Sequence, residues 1–564
     1  MFDLGRSFVA SVERSANALA VVDGDRRLSY AEWYGEVCRV IDGLAALGVR
    51  KGDHLAVVLQ NRLAMASLHW ACQLAGVVIV PLNWRAKAEE LDYCLIDAEA
   101  RAVLYEQISS AAVAGSAAAQ VLPRVAVGGA AGATDHFETF ADAGRQHTPQ
   151  AGPEGFSLIF YTSGTTGPPK GVPRRHRTER AAALAHVAQN LYAVGERTLG
   201  AMPLYHTMGV RSLLAMMLVD GVFVCLPRFE AGEALRLIAR EQVTNLYLVP
   251  TLYHDLLAHP DITASDTRFV RKLGFAGAAL PEGLLKRVDA AFRPELFVNH
   301  YGASEIYTLT VEQHAARKPG SAGKAGINQR IRVVNLAADT PEALARPGEE
   351  GQIIADLAGD EAFEGYWRRP DADARALRQG WYFTGDIGYV DEEGDLFVTG
   401  RIDDMIITGG ENVSPGEIES VLSLHPAIAE IAVVGLPDER LGRRVTAFVK
   451  RAGSVERMRS TPGAAVRRSP ITSGHGPGFL SPRSRNRQSA RCCAASSSPA
   501  NTKETRDDRH FSAGPGLARR DRWVSRRDRP SARARRHRPR PAAVECDYDG
   551  RARAAAGSLR GPRR

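Results

Sequence analysis

The sequence predicts an α/β protein: a large multi-sheet N-terminal domain over residues 1–402, the start of a small α+β C-terminal domain over 403–451 that is truncated there, and a disordered Arg-rich tail over 452–564. Three observations carry this. Apolar runs alternate with helical patterns between 157 and 301, the signature of a parallel or mixed sheet with covering helices. Shorter, turn-rich strands follow over 350–400, and a fresh unit opens with GRIDDMIITGGENVSPGEIESVLSLHP. After about Lys450 the apolar residues run out. Ile, Leu, Val and Phe make up 10 of the last 113 residues, too few for a core.

Each element has its own signal. LSYAEWYGEVCRVIDGLAALGV is an amphipathic helix with a glycine at its end. HLAVVLQN and GVVIVPLN are buried strands with the helix MASLHWACQLAG between them. SLIFYT, GVFVCLP, NLYLVP, KLGFAG and LFVNHYG are strands, and helices fall near 176–193, 232–241, 251–258 and 282–292. GQIIADL, GWYFTGDIGYV and GDLFVTG are shorter strands. SPGEIESVL carries a Ser N-cap, an early Pro and acidic residues in its first turn. IAEIAVVGLPDE and RRVTAFVK complete the small unit.

Composition narrows the function. The formal charge is +8, but the tail holds 27 Lys and Arg against 9 Asp and Glu, and the rest 45 against 55. The body is mildly acidic, so basicity is weak support for a nucleic-acid partner. Cys38, Cys72, Cys94 and Cys225 are isolated, and Cys492, Cys493 and Cys546 lie in the tail, without metal-ligand or disulfide spacing. No basic-then-apolar leader opens the chain and no run reaches 18 apolar residues. The expected setting is the cytoplasm, with no membrane span; the sequence allows a homodimer and does not fix the oligomeric state.

Three strands end in glycine- and hydroxyl-rich turns: YTSGTTG, FAGAALP and HYGASE. In open α/β sheets, ligands bind at the carboxyl ends of strands. YTSGTTGPPKG, residues 161–171, offers backbone amides, hydroxyls and a lysine to a polyphosphate. It is not a Walker A loop, because two prolines separate Gly167 from Lys170 and no Ser or Thr follows the lysine.

That loop resembles the phosphate loop of the AMP-forming acyl- and aryl-CoA ligases, the adenylate-forming superfamily. The resemblance continues in order through MPLYHTMG, FAGAALP, NHYGASE, GWYFTGD and GRIDDMIITGGENVSPGEIE, and covers roughly residues 10–450. It implies two steps: a carboxylate attacks the α-phosphate of ATP to give an acyl-adenylate and pyrophosphate, and the CoA thiol then displaces AMP. It implies ATP, CoA and Mg²⁺ as cofactors and a small-molecule carboxylic acid as partner. Thr162, Ser163, Gly164, Thr165, Thr166 and Lys170 would cradle the β- and γ-phosphates, and Glu305 would hold the metal. Tyr301 would stack on adenine beside Gly277, Ala278 and Ala279, with Gly302, Ala303 and Ser304 in the same turn. Asp386 would take the ribose hydroxyls, with Arg401 nearby. His206 would stand at the mouth of the carboxylate pocket, lined further by His300, Gly302, Ile306 and Tyr307. That short, partly polar lining points to a small aromatic or heteroaromatic acid. The branch it looks most like is chlorobenzoate–CoA ligase. Asp403 matches the hinge, and Gly409 and Gly410 would border the pantetheine tunnel.

One part is missing. The family's small domain supplies a lysine in a Pro-Lys-x-x-x-Gly-Lys context near its end. Lys503 is the only lysine after residue 451, and its setting, PANTKETRDD, does not match. A ligand-binding pseudoenzyme lacking that lysine is therefore the alternative. Codons chosen for SPITSGHGPGFLSPRSRNRQSARCC, read one base earlier, give LADYKRPRPGFPVAAIPKSPVGKVL, which holds the missing segment. The tail is thus expected to be out of frame, with the slip between about Arg451 and Arg468.

Overall fold

The computed structural model describes residues 2–141, 144–162, 168–409, 411–423 and 428–451, and its strands gather into three sheets. These residues all belong to the unit Met1–Met458, the first of two into which the chain divides. The expected tail, 452–564, lies outside the described residues.

The seven-stranded sheet runs Asp135–His136, Arg124–Val127, Ala100–Glu106, His54–Val58, Val78–Pro81, Phe156–Thr162, Lys170–Arg175. All neighbours are parallel except the last two strands, a hairpin that sets Thr162 opposite Lys170. Leu55, Ala56, Val57 and Val58 are all buried, as expected of a parallel strand covered on both faces.

The second sheet has fourteen strands. Its middle is parallel: Val222–Cys225, Arg197–Gly200, Asn245–Leu248, Lys272–Phe275 and Leu296–Tyr301. From Leu296–Tyr301 it continues antiparallel through Thr310–Glu312, Ser321–Ala325, Leu396–Arg401, Trp381–Val390, Gly351–Asp356 and Ile331–Val334. The third sheet has four strands, Glu411–Val413, Ile406–Thr408, Gly442–Arg451 and Ile428–Asp438. Helix Pro415–Ser423 is stitched to it where Glu419 accepts the Val433 amide at 2.7 Å.

Helix ends follow local chemistry. Helix Tyr30–Ala46 opens on a full capping box between Ser29 and Glu32 and is followed by Gly48 at φ +82°. The helix read near 176–193 ends earlier, at Gln189. Asn190 turns its amide back onto the His186 carbonyl at 2.8 Å, and Leu191 takes a left-handed φ of +52°. Phe8 stacks on Trp70 at 4.8 Å and meets Trp33 edge-on at 5.5 Å, joining helices Leu4–Ser15, Tyr30–Ala46 and Leu63–Ala75. Burying each such side chain contributes about 1.5–3 kcal/mol. Cys38, Cys72, Cys94 and Cys225 are buried, and none forms a disulfide among the described residues. Among the described residues, no helix is long and apolar enough to cross a membrane.

Candidate active site

The phosphate hairpin brings Thr162 and Lys170 side by side, the Thr162 hydroxyl donating to the Lys170 carbonyl at 3.4 Å. Ser163, Gly164, Thr165 and Thr166 lie outside the described residues. Lys170 Nζ sits 4.4 Å from the ring centroid of Tyr366, and the Tyr366 hydroxyl donates to Glu305 Oε1 at 2.6 Å. One tyrosine thus joins the loop lysine to the carboxylate of the HYGASE turn. Backbone pairing fixes its place: Trp367 N–H donates to the Gly171 carbonyl at 2.8 Å, and a Cβ on Gly171 would lie 2.9 Å from Trp367 Cβ. Burial, then the Glu305 charge, pushes the Tyr366 pKa up, so its hydroxyl stays a donor at neutral pH.

Glu305 is also held from behind. Its carbonyl accepts from Phe363 N at 3.0 Å and from Arg174 at 2.9 Å. Arg174 spans the core, pairing with Glu179 at 2.8 Å, donating to the Glu361 carbonyl at 2.6 Å and lying 4.1 Å over the Tyr307 ring. Arg174 and Glu179 are wholly buried, and burial drives the Glu179 pKa up. Such a pair gains little net stability against its desolvation cost; what it contributes is a fixed geometry.

At the other end of the site, Asp386 faces Arg401 across two antiparallel strands, carboxylate to Nε at 3.1 Å. The Tyr301 hydroxyl donates to the second Asp386 oxygen at 2.6 Å. Burial raises the Asp386 pKa, with Tyr301 and Arg401 pulling the other way. Gly385, at φ +79°, turns the strand there, and its missing Cβ would sit 3.7 Å from the Arg401 guanidinium. Gly277, Ala278 and Ala279 form an exposed turn at the carboxyl end of Lys272–Phe275, with Gly277 at φ +83°. Gly302 is required by close approach, since a Cβ would lie 2.0 Å from the Tyr307 carbonyl oxygen. The Ala303 amide donates to the Ile306 carbonyl at 2.9 Å, so Ser304 and Glu305 form the tip of this turn.

Thr162, Tyr205, His206 and Ser304 line a cavity of about 310 Å³. His206 is open to the cavity yet crowded by protein on its other sides, and that burial, then the charge of Arg211, lowers its pKa. Its Nδ1 accepts the Met208 amide at 3.5 Å, capping helix Thr207–Leu218. Buried Asn61 positions this segment, donating to the carbonyls of Gly200 (2.7 Å) and Met202 (2.6 Å) and accepting from Leu204 N at 2.8 Å.

His300 is buried against Tyr247 and His186. Ile306 packs with Val172 and Leu309, and Tyr307 lies against Phe160 and Arg174. Asp403 falls in the short turn Ile402–Asp404. Gly409, at φ +60°, donates to the Leu441 carbonyl at 2.9 Å, and Gly410 lies outside the described residues. Asp391, Glu393 and Asp395 form the acidic cluster among the described residues that could hold a metal, but Lys318 already pairs with all three.

Sequence reasoning missed Tyr366, Arg174, Glu179, Glu361, Asn61, Tyr247, Arg211 and His186. Asn61 had a usable signal, a polar residue at the carboxyl end of a buried strand. Tyr366 sits in an aperiodic loop and offers none.

A lysine-bearing hairpin, a carboxylate braced by tyrosine and arginine, and a histidine-mouthed cavity at strand ends define a nucleotide-dependent enzyme that activates a small acid. The AMP-binding enzyme family model matches residues 8–367, and the AMP-binding enzyme C-terminal domain model matches 417–468. Feruloyl-CoA synthase of Amycolatopsis sp is 36% identical over 444 residues, 78% of this chain and 87% of that protein. 4-Chlorobenzoate–CoA ligase of Arthrobacter sp is 33% identical over 454 residues, 78% and 84% of the two chains. Among solved structures, the anthranilate CoA ligase AuaEII with anthranoyl-AMP gives a TM-score of 0.75 at 26% identity, covering 81% of this chain and 88% of that one. ATP-bound MatB from Rhodopseudomonas palustris gives 0.71 at 29% identity, covering 81% and 90%. The chain belongs to the AMP-binding enzyme family, and within it to the AMP-forming acyl-CoA ligases. The reaction of that family consumes ATP and CoA, with Mg²⁺ accompanying the nucleotide.

Proposed function

We propose that this chain is an acid–CoA ligase for a small aromatic or heteroaromatic carboxylic acid. The observation that carries the reading is the pairing of two contact chains, Lys170–Tyr366–Glu305 and Tyr301–Asp386–Arg401, on either side of the 299–305 turn. The first suits a polyphosphate and the second a nucleoside. Lys170 and the hairpin amides and hydroxyls would hold the β- and γ-phosphates, and Asp386 would accept from the ribose hydroxyls while Tyr301 lies along the base. His206 would sit beside the acid's carboxylate as it approaches the α-phosphate. Asp403 would serve as the pivot of the small domain, and Gly409 and Gly410 would leave room for the CoA arm.

Glu305 fits a hard cation: it is a carboxylate with one oxygen fixed by Tyr366 and the other without a hydrogen bond among the described residues. Bound there, Mg²⁺ would neutralise phosphate charge. The protein's own share is positional, since positioning and charge neutralisation are the main tasks when a carboxylate meets a phosphate ester. The cavity at His206, about 310 Å³ and walled by Leu82, Leu91, Phe160 and Tyr205, supports a compact ring over a long aliphatic chain. The same reading sets the protein in the cytoplasm and allows a homodimer, which light scattering of the full chain checks.

The test is calorimetric titration of the full chain with ATP and Mg²⁺, then with benzoate-sized ring acids and long fatty acids in the presence of AMP. ATP and ring acids are expected to bind. A chain that binds fatty acids and no ring acid overturns the substrate class, and one that binds no ATP overturns the ligase reading.

A specific observation favours a second reading, a ligase impaired in adenylation. Residues 452–564 hold no Pro-Lys-x-x-x-Gly-Lys segment, and the match to the C-terminal family model stops at residue 468. On this reading the tail is an out-of-frame translation, and the nucleotide sequence tests it directly: a single-base shift must restore the hidden string.

A further inference from the structure

Against helix Thr207–Leu218, which His206 caps and whose Arg211 acts on the His206 charge, the second sheet carries a buried polar patch whose hydrogen-bonding capacity exceeds what the protein uses. Strand alternation puts Tyr247 and His300 on the face opposite the apolar row of Leu246, Leu273 and Phe297. Gly274 stands opposite Tyr247, where a Cβ would lie 2.8 Å from the tyrosine ring, so the glycine leaves the ring its place. Helix His176–Gln189 brings His186 and its cap Asn190, and helix Thr207–Leu218 brings Arg211. The Tyr247 ring lies 4.8 Å from His186 and 5.3 Å from His300, and the two histidines are 5.2 Å apart. Arg211 bonds the Tyr247 hydroxyl, Thr308 Oγ1 at 2.5 Å and the Tyr307 carbonyl at 3.3 Å.

Hydrogen-bond accounting assigns each group a role. The Asn190 amide nitrogen donates to His186 Nδ1 at 2.9 Å and to the His186 carbonyl at 2.8 Å. Asn190 Nδ2 and Oδ1 both lie within reach of His300 Nε2, at 3.1 and 3.2 Å; with the two amide hydrogens taken by His186, Oδ1 is the atom that accepts from His300 Nε2. That assignment puts the proton of each imidazole on Nε2. Burial first, and then the charge of Arg211, lowers both pKa values, so both rings are neutral near pH 7. Three atoms are left without a partner among the described residues: the donors His186 Nε2–H and Arg211 Nε–H, and the acceptor His300 Nδ1. The three side chains are 0%, 2% and 1% exposed, where polar atoms are almost always hydrogen-bonded.

The surroundings say what would complete them. Tyr247 packs on its other side with Met202, Met208 and Ala276, an apolar wall. The charge of Arg211 already acts on Glu361, drawing down a pKa that burial raises, and the Glu361 carboxylate accepts the amide of Thr308, the residue that Arg211 holds. A second carboxylate would add unbalanced charge, whereas a neutral group that both donates and accepts would not. We propose that Arg211, His186 and His300 are specificity residues that read a hydroxyl on the ring of the acid, the hydroxyl donating to His300 Nδ1 and accepting from Arg211 or His186. This rests on the ligase reading above and narrows its substrate to phenolic acids. A site built to hydrogen-bond a hydroxyl rejects the isostere that lacks it.

The test titrates the full chain, with AMP present, with the three monohydroxybenzoates and the matching methylbenzoates, which swap a hydroxyl for a methyl of similar size. At least one hydroxy acid is expected to bind tenfold or more tighter than its methyl partner. Arg211→Met should bring that ratio within threefold, and His300→Ile should do the same or invert it, so the inference stays open to refutation if either variant fails to fold. ATP titration of every protein is the control. Normal ATP binding with no hydroxy preference, or with Arg211→Met weakening both acids alike, overturns this inference alone and leaves the patch a solvated piece of core. Absence of ATP binding in the wild-type chain removes the ligase reading and this inference together.

Discussion

Tyr366 does two jobs with one side chain. Its ring faces the Lys170 ammonium at 4.4 Å and its hydroxyl fixes Glu305 Oε1 at 2.6 Å. Tyr366→Phe separates them, keeping the ring and removing the hydroxyl. A hydrogen bond to a charged group contributes about 1.5–3 kcal/mol. Affinity for ATP with Mg²⁺ should therefore fall by roughly tenfold or more, each 1.4 kcal/mol being a factor of ten. Affinity for ATP without the metal should change far less, because Glu305 is the group proposed to hold the metal. Equal loss in both titrations would show that the hydroxyl supports the fold and not the carboxylate. The partners of Tyr366 were legible in the sequence, because glycine- and hydroxyl-rich turns at strand ends announce Lys170 and Glu305. Tyr366 itself was not, and nor was buried Arg174, since a residue placed by long-range pairing leaves no local period.

At the scale of elements, glycines mark where backbones must touch. A Cβ on Gly302 would meet the Tyr307 carbonyl at 2.0 Å and its carbon at 2.7 Å, and neither atom can step aside as a flexible side chain would. Gly302→Ala should cost about 1–3 kcal/mol through overpacking and distort the turn that carries Tyr301 and Glu305. Gly35 gives the opposite sign. It is exposed in helix Tyr30–Ala46, and nothing lies within 4 Å of its would-be Cβ. Gly35→Ala should raise stability by about 0.5–1 kcal/mol and leave ATP binding unchanged. Denaturant midpoints of the two variants against the parent check both. The parallel strands were readable because burial on both faces makes them near-continuous apolar runs. The short antiparallel strands Thr310–Glu312, Ser321–Ala325 and Ile331–Val334 were not, because three to five residues are too few to set a period and the pairing is made with distant segments.

The whole molecule carries two liabilities. The first is acid. Burial lowers the pKa of His69 to about 3 and of His176 to about 4, from 6.5 in an exposed chain. The unfolded chain then binds protons that the folded one refuses. The stability each neutral histidine contributes is complete above pH 6.5 and is lost as pH falls toward the folded value, at about 1.4 kcal/mol per pH unit for each. Stability should drop steeply between pH 6.5 and 4. His69→Leu, which replaces a buried ring whose Nε2 has no partner among the described residues, should flatten that slope by one proton. An unchanged slope would assign the acid sensitivity to other groups.

The second liability lies in RNRQSARCC, residues 485–493, where the shifted frame places the missing lysine's codon across Ala490 and Arg491. Motif order over residues 161–419 is that of a complete ligase, while nothing after residue 451 supplies a cation in a matching context. On the proposed reading, the hairpin that would hold ATP and the lysine that would neutralise the α-phosphate therefore lie on different sides of the break. ATP binding and adenylation should come apart accordingly. The chain as written and a version with the frame restored should bind ATP with the same affinity, because Lys170, Glu305 and Asp386 are common to both. Acid-dependent exchange of pyrophosphate into ATP should be lower in the chain as written by 100-fold or more, since aligned charge at the reacting phosphate contributes several kcal/mol to such a step. Equal exchange rates would mean that another residue of residues 1–451 supplies the charge, and would turn the search for it toward His206 and Arg401, the cationic and titratable side chains nearest the two ends of the site.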